Sequence, residues 1–312
     1  MFHSEFATAA SRIHEGATVC ALVGQGISHS LTPPMHEREA AAHGLHHSYL
    51  VLDVPPADAP TFDLGAVLDR AQAIGMRGLN VTHPFKQRVL DLLDELSPGA
   101  ERLGAVNTVV FDDGRRIGHN TDWSGFARNF DLGFGDESPD PVSRSAVVQL
   151  GAGGAGAAVA YAMLTRGVGR FHIVDADPVR ARALAESLRP LFVDTTVTAG
   201  GVDDADTLIA RADGLVHATP IGMAAHPGMA VSAGTLRADL WVAEVVYRPV
   251  VTELIANARS VGARTLTGDG MAVHQAVDAL HLFHGIEPDA ARMTRHIRDL
   301  IAAEDAAVPR SA

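Results

Sequence analysis

The chain of 312 residues contains a single cysteine, Cys20, which lies in the apolar run from Thr18 to Val23. Because one thiol has no partner within the chain, a secreted fold held by disulfide bonds is excluded and a reducing compartment is favoured. The first residues include Glu5 and Glu15 and lack the apolar stretch of a secretory signal. We therefore expect a cytoplasmic protein.

Long membrane-like segments are also scarce. The one nearly uncharged window, from Val147 to Leu164, contains four clustered glycines that would break a spanning helix. The formal net charge of −12 repels nucleic acid and anionic lipid and provides no basic stripe for phosphate contacts. We expect neither a membrane nor a nucleic-acid partner, whereas an anionic small molecule is compatible with this charge because local donors in a pocket decide its binding.

Metal ligands in a recognisable pattern are absent too. The sixteen histidines include His43, His46 and His47 and the helical pair His281 and His284. No cysteine cluster and no H-E-x-x-H string, which are typical of zinc sites, accompanies them. We therefore expect surface or core histidines and no metal site.

Lysine is almost missing. Of the 25 basic residues only Lys86 is a lysine, so the other 24 are arginine. A guanidinium stays protonated at any working pH, whereas an amine can be shifted toward neutrality and can exchange a proton with a substrate. Lys86 is therefore a candidate for proton transfer. The alternative is chance retention in an arginine-rich sequence.

Short apolar runs alternate with helical patterns from the start of the chain, in the βαβ order that is typical of a parallel sheet. The expected strands and helices are Thr18–Val23, Pro34–His43, Ser48–Val54, Leu64–Ile74, Leu79–Val81 and Phe85–Leu93. The stretch Asp131–Ser145 is rich in Gly, Asp, Ser and Pro and lacks periodicity, so we expect a loop there. This loop leads into a second domain, with the boundary near Asp122 to Ser143.

After this loop the alternation restarts in a dinucleotide-fold order. The expected elements are Ala146–Leu150, Ala155–Thr165, Phe171–Val174, Val179–Leu188 and Gly214–His217, followed by a helix from Met271 and frayed residues Ala302–Ala312. The fold class predicted is α/β, with an N-terminal α/β substrate domain, a Rossmann-like dinucleotide-binding domain, and C-terminal helices that return to the first domain. The expected domains are residues 1–122, completed by helices within 271–302, and residues 123–270.

The string Gly151-Ala152-Gly153-Gly154-Ala155-Gly156 follows an expected buried strand and opens a helix of small residues. This is the context that the G-x-G-x-x-G signature requires, with Gly151, Gly153 and Gly156 as its glycines. The first makes the turn, the second admits a pyrophosphate, and the third lets helix and strand pack closely. We expect these residues, with Gly154 and Ala155, to bind a dinucleotide; a glycine-rich turn without a ligand is the alternative.

The next expected strand leads into Asp175, 24 residues after Gly151, close to the spacing of the acid that binds an adenosine ribose diol. A 2′-phosphate about 4 Å from this carboxylate would be repelled by ~1 kcal/mol in water and by ~4 kcal/mol at an effective dielectric of about 20. We therefore expect NAD, with NADP disfavoured, although Arg180 leaves some room for a phosphate. A helix N-cap before Pro178 is the alternative role of Asp175.

Polar and charged strings lie at expected strand ends or helix starts. They are Ser30-Leu31-Thr32-Pro33, Asn80-Val81-Thr82-His83-Pro84-Phe85-Lys86, Gly104-Ala105-Val106-Asn107-Thr108, Asn120-Thr121-Asp122 and, near the C-terminus, Asp269-Gly270-Met271 and Gln275. In order and approximate spacing, over nearly the whole chain, these strings closely resemble the shikimate dehydrogenase family.

Within that family the chain is most similar to the quinate/shikimate dehydrogenases that use NAD. It has Ser-x-Thr-Pro at Ser30 rather than Ser-x-Ser-Pro, and Asp175 followed by Ala176 where plain shikimate dehydrogenases usually have Asn-Arg-Thr for NADP. Two residues depart from the family pattern. His217 stands where Asn is common, and Phe85 stands where Tyr also occurs.

The resemblance implies roles for single residues. Ser30 and Thr32 would bind the substrate carboxylate, and Lys86 with Asp122 would bind the hydroxyl being oxidised and carry its proton. The remaining assignments are Thr82, Asn107 and Gln275 for the substrate hydroxyls, and Thr219, Val245 and Gly268, with Arg180, for the cofactor. Which of Lys86 and Asp122 is the formal base stays open. Helix capping is the alternative role for Asp122, Ser30 and Thr32.

The resulting expectation is an NAD-dependent oxidoreductase, monomeric or homodimeric, that interconverts shikimate with 3-dehydroshikimate and quinate with 3-dehydroquinate. The enzymatic alternatives are an NADP-dependent biosynthetic shikimate dehydrogenase and an amino-analogue dehydrogenase. The alternative from another class is a non-catalytic quinate-sensing module. It is disfavoured because Lys86 and Asp122 are both present and no DNA-binding extension is visible.

Overall fold

The computed structural model describes residues 1–136 and 138–307. The strands are β1 (Thr18–Gly24), β2 (His47–Asp53), β3 (Gly78–Val81), β4 (Glu95–Leu96), β5 (Thr108–Asp112), β6 (Arg115–His119), β7 (Ala146–Leu150), β8 (Arg170–Val174), β9 (Thr196–Gly200), β10 (Gly214–His217), β11 (Trp241–Glu244) and β12 (Thr265–Leu266). The helices are α1 (His3–His14), α2 (Thr32–Ala42), α3 (Leu64–Ala73), α4 (Pro98–Leu103), α5 (Thr121–Phe134), α6 (Gly154–Leu164), α7 (Pro178–Leu188), α8 (Ala205–Ile209), α9 (Glu253–Ser260), α10 (Asp269–His284) and α11 (Ala290–Ala307).

The chain forms two compact units. Unit 1 consists of Met1–Thr121 and Gln275–Ile297, and unit 2 consists of Asp122–His274 with the described residues from Arg298 to Ala307. Each unit contains one six-stranded sheet. Among the described residues, no helix has both the length and the apolar character required to cross a bilayer.

The sheet of unit 1 has the order β2-β1-β3-β5-β6-β4. Strand β1 lies between β2 and β3 and is parallel to both. Its side chains are buried on both faces, because Val19 and Ala21 join one apolar cluster while Cys20 and Leu22 join another. A strand covered on both faces has to be apolar at consecutive positions, and this explains the run that predicted it.

The parallel arrangement expected for this part of the chain is interrupted after β3, and a parallel pair beyond it joins β4 and β6. Strand β5 is antiparallel to β3 and forms a hairpin with β6. The two residues between these strands are Asp113 and Gly114, both with positive φ, at 46° and 77°. An Asp-Gly pair is the strongest short signal of a tight hairpin, so the sequence carried this information although the expected elements did not include it.

The sheet of unit 2 has the order β12-β11-β10-β7-β8-β9, and all of its neighbouring strands are parallel. The strands run outward from β7 in two directions, so β7 and β10 are neighbours at the point where the order reverses. In open α/β sheets the ligand crevice lies outside the carboxyl ends of the strands at such a point. The predicted α/β fold with a Rossmann-like sheet is confirmed.

The helix expected at Phe85–Leu93 is wrong. The segment forms turns and one 3-10 turn at Leu90–Leu92. A continuous helix would need the carbonyl oxygen of Lys86 to accept from the N–H of Leu90, but this oxygen accepts from the N–H of Val106 at 2.9 Å. The N–H of Leu90 donates to Gln87 instead. A hydrogen bond from the segment before β5 therefore overrides the local helical periodicity.

The loop expected at Asp131–Ser145 begins too early, because α5 continues to Phe134. Phe130 and Phe134 are four residues apart and both contact the indole of Trp241, with ring centroids 5.4 and 5.7 Å away. This apolar contact extends the helix by one turn.

The frayed segment expected from Ala302 is also wrong as far as Ala307, because α11 continues to that residue. Met293, Ile297 and Ile301 follow at four-residue spacing and are buried. Such spacing keeps one apolar face turned inward along the helix. The last five residues, 308–312, lie outside the described part of the chain.

Candidate active site

The glycine-rich turn after β7 has geometry that only glycine permits at two positions. Gly151 has a φ of +101°, and a Cβ there would lie 2.4 Å from the carbonyl oxygen of Ala218. A Cβ on Gly156 would lie 2.2 Å from the carbonyl oxygen of Gly151. Gly153 occupies the N-cap of α6. The backbone N–H groups at this helix N-terminus provide a site for an anion such as a pyrophosphate.

A buried amide holds this turn in shape. This amide belongs to Gln149, whose Nε2 donates to the carbonyl oxygens of Gly151 and Gly156, each at 2.8 Å. Gln149 lies on β7, and its side chain is fully buried. Sequence reasoning missed it, although a polar residue inside the apolar run Val147–Leu150 was a signal.

The carboxylate of Asp175 is fixed against the same turn. Its Oδ2 accepts from the N–H of Ala152 at 2.7 Å, and its Oδ1 accepts from the N–H of Asp177 at 2.9 Å. The N-cap of α7 is Asp177, which accepts from the N–H of Val179. The alternative role of Asp175 as the cap of this helix is therefore wrong. Its carboxylate stands half-buried beside the glycine turn.

Arg180 lies on the exposed side of the turn. A Cβ built on Gly153 would meet its guanidinium nitrogen Nη2 at 3.2 Å. The first turn of α7 thus brings a permanent positive charge close to the glycine turn, opposite in sign to the carboxylate of Asp175. This pair of charges is the electrostatic feature of the candidate nucleotide site.

The other expected cofactor residues follow β10 and β11. Thr219 comes two residues after β10 and is half-buried, and Val245 comes directly after β11. Gly268 packs against the chain after β11, because its Cβ would lie 2.3 Å from the carbonyl oxygen of Val245 and 2.5 Å from that of Val246. These residues therefore share the carboxyl edge of the sheet with Gly151. The glycine turn, the anchored acid and this edge fit a dinucleotide.

In unit 1 the loop that carries Ser30 is held by a carboxylate. Oδ1 of Asp53 accepts from the N–H of Gly26 at 2.8 Å, and its Oδ2 accepts from Ile27 and Ser28 at 3.1 and 2.9 Å. Asp53 ends β2, next to the carboxyl end of β1. Three successive backbone donors on one carboxylate give the loop a fixed course. Asp53 was not expected as a site residue, because this contact joins residues far apart in sequence.

Ser30 and Thr32 follow within this loop and at the start of α2. The Oγ of Ser30 accepts from the N–H of Thr32 at 3.2 Å. Thr32 is the first residue of the helix, the N-cap position belongs to Leu31, and no side chain caps the helix there. Helix capping by Thr32 is therefore wrong, and both hydroxyls are half-buried.

Thr82 and Lys86 follow β3, the strand on the other side of β1. The N–H of Thr82 donates to the carbonyl oxygen of Val23 at 3.0 Å. The carbonyl oxygen of Lys86 accepts from the N–H of Val106. Both residues are half-buried. A Cβ on Gly24 would lie 2.3 Å from Cγ2 of Thr82, so the end of β1 has to be glycine for Thr82 to stand there. Hydroxyls and an amine thus share the carboxyl edge of β1 and β3.

Asn107 lies directly before β5 and is buried in a polar network. Its Oδ1 accepts from the N–H of Thr121 at 2.6 Å, and its Nδ2 donates to Oγ1 of Thr121 at 2.9 Å. The hydroxyl of Thr108 donates to Oδ1 of Asn107 at 3.1 Å and accepts a hydrogen bond from Nδ2 of Asn80. Asn107 therefore fixes the first residue of α5, the neighbour of Asp122, besides its expected role toward a substrate hydroxyl.

Asp122 and Gln275 lie on helices. Asp122 is buried in the first turn of α5, which begins at Thr121, so its alternative role as a helix cap is wrong. Gln275 is half-buried on α10 and belongs to unit 1. Lys86 belongs to unit 1 and Asp122 to unit 2.

A separate histidine cluster occurs in unit 1. His36 stacks on His47, with ring centroids 6.1 Å apart, and Nδ1 of His47 lies 3.0 Å from Nε2 of His284. Burial lowers the pKa of His36 well below its usual value, and that of His47 to about 3. The described part of the chain contains no group of three or more side chains that could hold a metal ion.

Comparison with known proteins agrees with this arrangement. Residues 22–109 match the shikimate dehydrogenase substrate binding domain. A protein named shikimate dehydrogenase (NADP(+)) from Streptomyces avermitilis is 52% identical over 279 residues, which cover 89% of this chain and 94% of that protein. A protein named quinate/shikimate dehydrogenase (NAD(+)) from Corynebacterium efficiens is 49% identical, with coverage of 87% and 94%.

Among solved structures, quinate dehydrogenase from Corynebacterium glutamicum in complex with NAD superposes with a TM-score of 0.85. It is 46% identical, and the match covers 91% of this chain and 99% of that one. Identity at this level over nearly the full length of both sequences extends the likeness through both units. The chain belongs to the shikimate dehydrogenase family of oxidoreductases.

Proposed function

We propose that this enzyme oxidises the ring hydroxyl of shikimate and of quinate to the ketone, with NAD as the hydride acceptor. The observation that carries the choice of cofactor is the carboxylate of Asp175, bonded to Ala152 at the glycine turn. A carboxylate there accepts hydrogen bonds from a ribose diol and repels a 2′-phosphate. The relatives named for NAD and for NADP are of similar identity, so the residue and not the comparison supports this choice.

The substrate side of the proposal rests on uncharged donors. Ser30 and Thr32 bind the carboxylate, and Thr82, Asn107 and Gln275 bind the hydroxyls. Hydroxyl and amide groups hold a polyol without the desolvation cost of several charges. Such a site discriminates strongly against an analogue that lacks a hydroxyl, since its own polar groups would then be unpaired.

Lys86 and Asp122 handle the proton. As the C–H hydride leaves the carbinol carbon, the O–H proton passes to this pair, and the carbonyl forms. The bound dinucleotide supplies the acceptor for the hydride. In the reverse direction the pair returns the proton to the carbonyl oxygen, and this general acid–base step accounts for about 10²–10⁴-fold in rate.

Steady-state kinetics with shikimate and quinate, each with NAD and NADP, tests the proposal. We expect turnover of both acids with NAD, because Thr32 adds only one methyl group next to the substrate carboxylate. One methyl contact is worth about 1 kcal/mol, which does not exclude either acid. No quinate oxidation at high concentration with NAD would contradict dual use, and no turnover of either acid would contradict the activity itself.

A second candidate is a shikimate dehydrogenase that uses NADP. The position of Arg180 over Gly153 favours it, because a guanidinium binds phosphate oxygens in a bidentate manner. The same kinetic comparison distinguishes the two candidates, since only the second predicts a higher kcat/KM with NADP.

A further inference from the structure

Two strand ends of unit 2 are joined by a buried histidine–carboxylate pair. His217 ends β10 and Glu244 ends β11, and the two are partners in the strand register. Nδ1 of His217 lies 2.8 Å from Oε1 of Glu244, and each residue is 1% exposed. A hydrogen bond between such groups is strong when water is excluded, and it is costly to break.

The carboxylate of Glu244 directs the chain that follows β11. Its Oε1 also accepts from the N–H groups of Val245 and Val246, both at 2.9 Å. Its Oε2 accepts from Oγ1 of Thr252 at 3.1 Å, and this hydroxyl caps α9. Four donors on one buried carboxylate compensate for its removal from water and fix the backbone at Val245.

The imidazole of His217 connects this carboxylate to Thr219. Its Nε2 is hydrogen-bonded to Oγ1 of Thr219, which also accepts from the N–H of Ile221 at 3.2 Å. Since Nδ1 faces the carboxylate, the partners assign the proton of a neutral ring to Nδ1, and Nε2 then accepts the hydroxyl proton of Thr219. The direction of that hydroxyl is therefore set by His217.

We propose that His217 is a positioning residue of the nucleotide site, which acts through Glu244 and Thr219. The proposal rests on the proposed function, since Thr219 and Val245 are assigned to the dinucleotide there. His217 stands where the family commonly has Asn, a shorter side chain, and here the imidazole is hydrogen-bonded to both Glu244 and Thr219. The pair thus holds the two strand ends, and the hydroxyl between them, in one arrangement for the dinucleotide.

The test measures NADH binding by fluorescence titration in the wild type, His217→Leu and His217→Asn. We expect His217→Leu to raise the Kd for NADH on the order of tenfold, because Thr219 loses its partner and Glu244 loses a donor. His217→Asn keeps a donor for Glu244 and should recover part of this loss. The KM for NAD should rise with the Kd, while the KM for the hydroxy acid stays within about twofold.

The matched control is His172→Leu. His172 also pairs with a threonine on the sheet of unit 2, with Nδ1 2.7 Å from Oγ1 of Thr198, but it lies inside β8 and not at a strand end. Its removal should leave the Kd for NADH unchanged. A comparable loss in His172→Leu would show a general effect on the sheet and would overturn the positioning role.

The outcomes separate the two proposals. A wild type that binds no dinucleotide overturns both the function and the positioning role. A wild type that binds NADH, with His217→Leu of equal affinity, overturns the positioning role alone. If His217→Leu does not fold, Thr219→Val removes only the hydroxyl that His217 orients and should show the same rise in Kd. Wild-type affinity in that variant overturns the proposal.

Discussion

Asp175 accepts a 2.7 Å hydrogen bond from the backbone N–H of Ala152, so the acid after β8 is anchored to the glycine turn after β7. This contact gives the carboxylate two functions. It holds the turn in place, and it presents a negative charge next to the proposed ribose site. A substitution that removes both functions is therefore harder to interpret than one that removes the charge alone.

Asp175→Asn is the sharper variant for this reason, because its Oδ1 can still accept from Ala152 while the charge is lost. We expect the wild type to prefer NAD, and the variant to bind NADP on the order of tenfold more tightly than the wild type does. Asp175→Ala should also narrow the preference for NAD over NADP, because it weakens the binding of NAD.

Titration of both cofactors and their kcat/KM values measure this effect. Asp177→Asn is the control, since an asparagine caps α7 as well as an aspartate and the ratio should not change. A clear NADP preference of the unmodified enzyme would contradict the assignment of Asp175.

Lys86→Arg tests whether the one lysine serves the chemical step. An arginine keeps the charge but does not readily release a proton, and its planar fork does not fit a site shaped for an ammonium. We expect kcat to fall at least about a hundredfold in Lys86→Arg and in Lys86→Ala, with unchanged NADH affinity. Asp122→Asn should show a loss in the same direction, and the double variant should be little worse than the worse single variant.

The control is Arg115→Lys at the exposed first residue of β6, an exchange of the same kind in the opposite direction. It should leave kcat unchanged. Near-normal kcat in Lys86→Arg would mean that Lys86 is an electrostatic anchor, and that the proton leaves through Asp122 or a water molecule.

Acid should destabilise the protein through the buried histidines of unit 1. An unfolded histidine takes up a proton as the pH falls through about 6.5, whereas folded His36 and His47 stay neutral, because burial lowers the pKa of both. The unfolded state then binds more protons, so stability is full above this pH and decreases below it. At pH 5 the loss is about 2 kcal/mol for each such histidine.

Urea unfolding between pH 8 and pH 5, the range suggested by the histidine pKa of about 6.5, measures this loss. His36→Leu should flatten the pH dependence, since neither ring nitrogen of His36 has a hydrogen-bond partner among the described residues. His14→Gln on the exposed end of α1 is the control and should keep the wild-type dependence of the free energy of unfolding on pH. An unchanged slope in His36→Leu would contradict the prediction.

Arg292, which is partly exposed, forms an ion pair with the buried carboxylate of Glu39 in unit 1. The guanidinium donates to both carboxylate oxygens, with distances of 2.7 Å to Oε2 and 2.6 Å to Oε1, and the N–H of Asp289 donates as well. Removing the guanidinium deprives this buried carboxylate of two charge-assisted hydrogen bonds, which should destabilise the fold. We expect Arg292→Ala to lower the free energy of unfolding.

The control for this pair is Arg115→Ala, which breaks the exposed pair between Arg115 and Glu95. Exposed pairs contribute about 0–1 kcal/mol, so this variant should remain close to the wild type. Equal effects in the two variants would contradict the distinction between the pair with a buried carboxylate and the exposed pair.

Features set by short spacing could be predicted from the sequence. The glycine signature indicated the turn at Gly151, and the apolar run indicated β1, because both depend on neighbouring residues. The hairpin of β5 and β6 was equally accessible through Asp113 and Gly114. It was missed because the alternating βαβ pattern before it suggested that every strand would be parallel.

Features set by distant contacts were beyond sequence reasoning. Phe85 and Val89 have helical spacing, but the N–H of Val106 donates to the carbonyl oxygen of Lys86, and this hydrogen bond prevents a continuous helix. Likewise, Asp53, Gln149 and Glu244 support the candidate site through hydrogen bonds to other segments. Their residue types alone do not indicate which backbone groups they meet.

Cys20 gives the molecule an internal reporter of unfolding. The thiol is fully buried between β2, β3 and the apolar cluster that includes Phe283, and burial raises its pKa, so little thiolate forms in the native state. A thiol reagent therefore reacts with Cys20 when unit 1 opens. Because the chain has no second cysteine, the labelling rate follows the opening of one defined strand, without any engineered probe.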